Sequence, residues 1–588
     1  SDTKLQCEGV SKALKRNKSI EYNATKKCLE SFPFNAKRAT KMVDLTLHFL
    51  SSYYVFFDRA KEGPPDGFTY QPVDLENELK SLRTKTFKSD YDFTTALRTI
   101  LFKLKDGHTR FINNCYTNFI YDQKLSLYSV ITTDKKQVFN DTLDPSNNDC
   151  EVIEIEGKPA LQVIIDFAND KIAYSKDLGV RFNMALAPSR PEYSQHFTLR
   201  EDLPETSSIA YTLKCPKKHK NKSFKLERPW NITYADGIGL FENFCLTQNN
   251  ITSFSLNDNF ASSSKVTKLV SNDKNPESES SNKLKASTSS NKIAHAKLVV
   301  DDFYILDDEN KVGIAVITQE KQIFEAGQKF GFNELKKRGV EKLILDMTNN
   351  IGGALTETLF LTSLLLSSEQ PNSFPTNIII NDFTIRTIED NFKHLSSDDY
   401  NLYNPNFYLK FPRGDKFRSP SEFIGTRKNR TSNLYLNALT PDEKKLLNNT
   451  SFPWTSDDII ILTNGFCASA CALITMFFSE IHNVKTVAVG GLYNTQMSYS
   501  TFPGGEVTSE NIIGGDAGDN STEFPGVNAL LLTVREAHDF VKNGTIKVKD
   551  VLEYSYKPAK YRLYYDENNA KDPSLLWLEA SKILNKKT

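Results

Sequence analysis

Methionine (5), tryptophan (3) and histidine (8) are scarce in this chain of 588 residues, and several familiar signals are missing altogether. Charge of one sign is not in surplus: Lys+Arg and Asp+Glu both number 73, a formal net charge of zero. A dedicated nucleic-acid binder neutralises phosphates with a basic excess, so that class is disfavoured and no nucleic-acid partner is expected. No apolar run approaches the ~20 residues of a membrane span. The longest stretches, Leu359–Leu366 and Ile459–Leu462, are short. No Cys-x-x-Cys pair occurs, which argues against a zinc ribbon. Asp516-Ala517-Gly518-Asp519 lacks the spacing of a calcium loop, so neither metal nor cofactor is expected. Gly-x-Ser-x-Gly is absent around the serine of interest below, which leaves an α/β-hydrolase elbow unsupported.

What is present suits a large folded protein. Aromatic residues reach 11% and hydrophobic residues 39%, enough for a packed core over most of the length. By length alone the chain is about four units, or two large ones. The eight cysteines are Cys7, Cys28, Cys115, Cys150, Cys215, Cys245, Cys467 and Cys471. Their even number permits four disulfides, with the pairing open. Sequons are frequent, at Asn17, Asn23, Asn140, Asn221, Asn231, Asn250, Asn429, Asn448, Asn449, Asn520 and Asn543. The first residue is Ser1 rather than Met, which suggests that an upstream signal peptide has been removed. Together these features predict a secreted, extracellular, disulfide-bonded glycoprotein.

Four regions follow from the patterning. Residues 1–112 read as helical: Leu45, Phe49 and Tyr53 recur every four residues, as do Leu75, Leu79 and Leu82 at helical spacing, ending in the turn Lys105-Asp106-Gly107-His108. Residues 115–235 alternate short apolar runs with turn clusters, a small mixed β/α module in which Cys150–Gly157 reads as a strand and its turn. Residues 236–297 form a linker; within it 261–292, rich in Ser, Lys and Asn, is predicted to be disordered. Residues 298–588 alternate strand and helix. Val312–Ile317, Lys342–Met347, Asp458–Thr463 and Thr486–Val489 read as strands, and Glu320–Lys337, Leu355–Leu366 and Ala470–Ile481 as helices. That order implies an α/β fold with parallel pairing and right-handed crossovers.

Chemistry in such a sheet sits at the carboxyl ends of strands. One such place is Leu345-Asp346-Met347-Thr348-Asn349-Asn350-Ile351-Gly352-Gly353, whose glycines suit an anion or oxyanion site or a plain βα turn. The other is Leu462-Thr463-Asn464-Gly465-Phe466-Cys467-Ala468-Ser469-Ala470-Cys471, where Ser469 is either a nucleophile or a helix N-cap. Cys467 and Cys471 read as a disulfide bracing this turn or as two buried thiols. His108 is one candidate base and His538 its competitor. Asp550–Tyr556 reads as a strand that turns Glu553 onto the face of Val551 and Ser555, where a carboxylate needs a partner. Glu536 is the alternative acid.

Asp106-Gly107-His108-Thr109, the 345–353 stretch and the 462–471 stretch, in this order, resemble peptidase family S41. The likeness is greatest to the secreted fungal branch resembling chlamydial protease-like activity factor. Cys28-Leu29-Glu30-Ser31-Phe32-Pro33, Gly63–Phe68 with Pro72–Leu75, and Arg562-Leu563-Tyr564-Tyr565 add to it. The resemblance implies a ClpP/crotonase-like catalytic core with a helical N-terminal region and an inserted PDZ-like module over about 115–235. It implies a serine peptidase with Ser469 as nucleophile, His108 as base, Glu553 as the orienting acid, and an oxyanion hole at Gly352 and Ala470. The lysine base of the bacterial processing enzymes has no counterpart, since Gln496 stands at the matching position. The expected partner is a protein or peptide substrate; the oligomeric state stays open, with a homodimer among the options. The rival from another class is an inactive scaffold whose PDZ-like module binds peptides by strand addition.

Overall fold

In the computed structural model, the described residues are 2–141, 150–187, 195–215, 222–247, 293–318, 325–426, 429–521 and 523–586. The expected loop 261–292 and the sequons Asn221 and Asn250 lie outside them. Among the described residues no helix is long and apolar enough to cross a membrane.

A seven-stranded sheet forms the centre of the C-terminal half. Its order is Ala296–Val300, Phe303–Leu306, Val312–Val316, Lys342–Asp346, Ile459–Thr463, Lys485–Val489 and Tyr561–Leu563. The last five pair in parallel and the first two join antiparallel. The central strands are buried at nearly every position because both faces are covered, as parallel strands require. Leu343, Leu345, Ile459 and Ile461 face one side, against Phe332, Phe360, Ile474 and Phe478. Ile344, Ile460, Leu462 and Val487 face the other, against Leu576 and Trp577 of the helix Pro573–Asn585.

A second sheet is built on the long strand Asn528–Asn543, to which Arg110–Asn113, Gly505–Ser509, Thr376–Asn377 and Thr545–Val551 all pair. The helices Ala36–Tyr53, Leu75–Leu82 and Asp90–Phe102 lie in one hydrophobic cluster with this sheet, where Phe49, Leu97 and Leu101 join Leu530, Leu532 and Tyr554. This clustering brings the start of the chain to its last quarter. A third sheet, of six strands between Leu127 and Pro229, packs with the helices Ala160–Lys171 and Leu178–Ala185. Asn183 ties this module to the parallel sheet, donating to Asn464 and Val489 carbonyls and accepting from the Gly491 N–H.

The eight cysteines form Cys7–Cys28, Cys115–Cys245, Cys150–Cys215 and Cys467–Cys471. Asn17, Asn23, Asn429, Asn448, Asn449, Asn520 and Asn543 are exposed, whereas Asn140 is buried and closed to a glycan in the folded chain.

Candidate functional site

The strand Ile459–Thr463 runs into a turn that ends at Ser469, directly before the apolar helix Ala470–Glu480. Ser469 has φ 58° and ψ −120°, a left-handed conformation that L-residues rarely adopt. The surrounding bonds hold it there: Ala468 N–H donates to Asn350 O, Thr501 N–H to Cys467 O, and Leu473 N–H to Ser469 O. Although Ser469 occupies the N-cap position, its side chain caps nothing. Its Oγ lies 2.8 Å from His108 Nε2.

Cys467–Cys471 closes a loop around this strained residue, and both cysteines are fully buried. Replacing both by alanine removes a short cross-link worth about 2 kcal/mol of unfolded-state entropy. A lower thermal midpoint, together with slower reaction of Ser469 towards an acylating or phosphonylating probe by about 10- to 100-fold, is the expected result. Unchanged Ser469 reactivity in the double variant would mean that hydrogen bonds alone fix the turn.

His108 comes from the loop between the helix Asp90–Phe102 and the strand Arg110–Asn113. Its ring stands edge-on to Phe502, with centroids 4.9 Å apart. Gly107 is required here, because a Cβ would fall 2.5 Å from that phenyl ring. Among the described residues the ring's other nitrogen, Nδ1, has no hydrogen-bond partner. It abuts Gly504, where a Cβ would lie 2.8 Å away, and Asp106 Oδ1 is 4.0 Å off. Burial holds the His108 imidazole down to about 4; Arg110 and Lys176 add to this and Asp106 opposes it. His108 is therefore neutral at neutral pH and can accept a proton from the Ser469 hydroxyl.

Glu553 sits close by but does not touch the imidazole. Its Oε1 takes a hydrogen bond from Lys176 Nζ at 2.9 Å and its Oε2 one from the Gly504 N–H at 3.0 Å. The strand anticipated over 550–556 ends at Val551, and Glu553 lies in a 3-10 turn, Leu552–Tyr554. The chain leaves the sheet because Tyr554 is drawn into an aromatic pocket with Phe56 and Tyr70. Burial pushes Glu553 up to about 7, with Lys176 pulling it down and Asp106 pushing it further up.

The glycine turn after Lys342–Asp346 reaches the same place. Gly352 has φ 87°, and a Cβ on it would meet Ala468 O at 2.5 Å, Ser469 Cβ at 2.7 Å and Ala470 N at 2.9 Å. Only glycine fits so close to the serine. Its own N–H, the donor expected for an oxyanion, bonds to Asn350 Oδ1 at 2.9 Å in this structure. Ala470 opens the helix directly after Ser469, so its N–H is among those an α-helix leaves without an internal partner.

The other candidates fall elsewhere. His538 and Glu536 lie on the strand Asn528–Asn543 and approach each other at 3.5 Å, with neither bonded to Ser469 or His108. Gln496 is exposed. Lys176, Phe502 and Gly504 had no local signal in the sequence, being marked only by their three-dimensional neighbours.

This geometry can be set beside solved structures. Mature CPAF matches over 94% of this chain and 96% of its own, at 14% identity and a TM-score of 0.55. This chain shares its fold. A CPAF complexed with lactacystin matches over 94% of this chain and 97% of its own, at 12% identity and a TM-score of 0.53. An S41 protease from Bacteroides fragilis matches at 11% identity and a TM-score of 0.33. No family model and no curated protein matches the sequence. The CPAF fold thus covers the chain almost end to end, including the mixed α/β organisation and its several sheets.

Proposed function

We propose that this chain is a secreted serine endopeptidase, S41-like and of the fungal branch akin to CPAF, that hydrolyses peptide bonds of proteins. The observation that carries the proposal is the 2.8 Å contact between Ser469 Oγ and His108 Nε2, made by a serine whose hydroxyl caps no helix. Ser469 Oγ attacks the scissile carbonyl while Nε2 takes its proton. The tetrahedral oxyanion is stabilised by the Ala470 N–H at the start of an eleven-residue helix (11 residues). Gly352 contributes the space beside Ser469. His108 then returns the proton to the leaving amine, and a water repeats the sequence to release the acyl group. No metal or cofactor takes part in these steps.

Glu553 acts on His108 at one remove. By holding the Gly504 N–H it fixes the 502–505 segment against the imidazole. In this reading the 115–235 module is PDZ-like and the parallel sheet is the ClpP/crotonase-like core. The four disulfides suit an extracellular setting.

The pH profile follows from these groups. The base works only when neutral, so kcat/KM falls on the acid side as His108 protonates near pH 4 rather than near the ordinary ~6.5. A shallower step near pH 7 marks the ionisation of Glu553. Glu553→Gln removes the upper step and keeps the lower one. It also leaves Lys176 buried without its counter-charge, which costs roughly 3–5 kcal/mol. A single acid limb near pH 6.5, unaltered by Glu553→Gln, would contradict this assignment. The function itself is tested by casein hydrolysis with the purified protein. Cleavage that needs Ser469 supports it; intact casein together with peptide binding by the 115–235 module would favour the scaffold instead.

A further inference from the structure

The His108 imidazolium that forms during proton transfer needs a negative charge near Nδ1. Glu553 is poorly suited to supply it, because its charge is offset by Lys176, whose Nζ lies 2.9 Å from Oε1, and neither of its oxygens contacts the imidazole. Asp106 is the other carboxylate within reach. It is 1% exposed, and its two oxygens are used differently. Oδ2 accepts three hydroxyls: Tyr54 at 3.0 Å, Thr109 at 2.9 Å and Thr533 at 2.8 Å. Oδ1 accepts, among the described residues, only the backbone N–H of His108, at 3.0 Å, and faces Nδ1 at 4.0 Å.

A plain turn at 106–108 would need the bond to the His108 N–H and nothing more. The three hydroxyls come from the end of the helix Ala36–Tyr53, from the residue after His108, and from the strand Asn528–Asn543. They stabilise an ionised carboxylate that would otherwise be too costly to bury. Burial pushes Asp106 up, but Lys176, His108, the Thr533 hydroxyl and the His108 N–H outweigh it and hold the carboxyl below its ordinary value. The charged or titratable groups around the pair are Lys176 and Glu553 on the far side, Arg110 on the adjoining strand, and Tyr54 and Tyr554.

We propose that Asp106 is the positioning anion of the site: its carboxylate, tied to the backbone of His108 itself, stabilises the imidazolium across the 4.0 Å gap to Nδ1. This rests on the reading of Ser469 and His108 as nucleophile and base. Glu553 then fixes the Gly504 side of the ring and Asp106 provides the charge.

Asp106→Asn separates charge from shape. An amide oxygen still accepts the His108 N–H, and two of the three hydroxyls can rotate to accept from the two protons of the new NH₂, leaving the third to turn to another acceptor. The expected result is a drop in kcat of roughly 10²- to 10³-fold with KM little changed, since a unit charge at 4 Å in a partly polar interior is worth about that factor. The acid limb of kcat/KM also moves to lower pH, because losing the anion makes the imidazolium harder to form. A purely structural role would lower activity without moving that limb. Asp106→Ser keeps an acceptor for the His108 N–H and serves if the Asn variant fails to fold. Wild-type kcat with an unmoved limb in either folded variant overturns the proposal. Failure of the underlying reading looks different: the wild-type protein would then neither hydrolyse peptides nor react at Ser469 with a fluorophosphonate.

Discussion

Ser469→Ala is expected to lower kcat by about six powers of ten, to the level that remains when a serine peptidase loses its nucleophile. The reason lies in the conformation of one residue. Ser469 is held at φ 58° between a fully buried strand and a helix start, with its hydroxyl directed to His108 instead of to the helix amides. A residue kept in an uncommon backbone conformation by many surrounding bonds indicates a site whose geometry matters more than its local energy. Alanine keeps that backbone and removes one hydroxyl. The fold therefore loses only a hydrogen bond, about 1 kcal/mol, and the thermal midpoint of the variant should stay within a few degrees of wild type. Hydrolysis of a peptide substrate, measured beside the melt, distinguishes a lost nucleophile from a lost fold. Undiminished hydrolysis by a folded Ser469→Ala protein would remove the serine from the mechanism.

His108→Ala should be nearly as severe, again about six powers of ten in kcat, because nucleophile and base act as one unit and removing either is about as costly as removing both. Here the structural cost is larger. The imidazole fills the space between Phe502 and Gly504, and its loss opens a gap in a close-packed region, on the order of 1–3 kcal/mol. The control is His538→Ala. His538 sits beside Glu536 on another part of the long strand and should leave turnover within about twofold of wild type, as surface and strand substitutions away from a site do. If His538→Ala is the crippled variant and His108→Ala is not, the base has been misassigned.

The parallel sheet was readable in the sequence because its strands are buried on both faces. Runs such as Ile459–Leu462 and Leu343–Leu345 are apolar throughout and alternate with helices, and local composition alone indicates this. The small-residue turn at Ser469 was readable for the same reason. What local pattern could not supply is the partnership across 361 residues between Ser469 and His108, which arises because the N-terminal helices pack on the sheet built around Asn528–Asn543. Only the resemblance to a family joined them. Glu553 shows how alternation misleads. Val551, Glu553 and Ser555 have the spacing of one strand face, yet Tyr554 finds its partners in Phe56 and Tyr70, and that tertiary contact turns the chain out of the sheet. At Gly352 the sequence marks a glycine turn, but the close approach to Ala468 and Ser469 that demands a missing side chain exists only in the folded chain. Lys176 carries no local mark at all, because its burial against Glu553 and the Tyr554 ring exists only in the folded chain.

The central claim is that Ser469 is a nucleophile activated by His108, and reaction with a fluorophosphonate probe tests it most directly. With peptide mapping by mass spectrometry, the wild-type protein should carry one adduct, on Ser469. Ser469→Ala should carry none, and His108→Ala should label far more slowly though folded. A wild-type protein that stays unlabelled, or an adduct that persists in Ser469→Ala, would contradict the account.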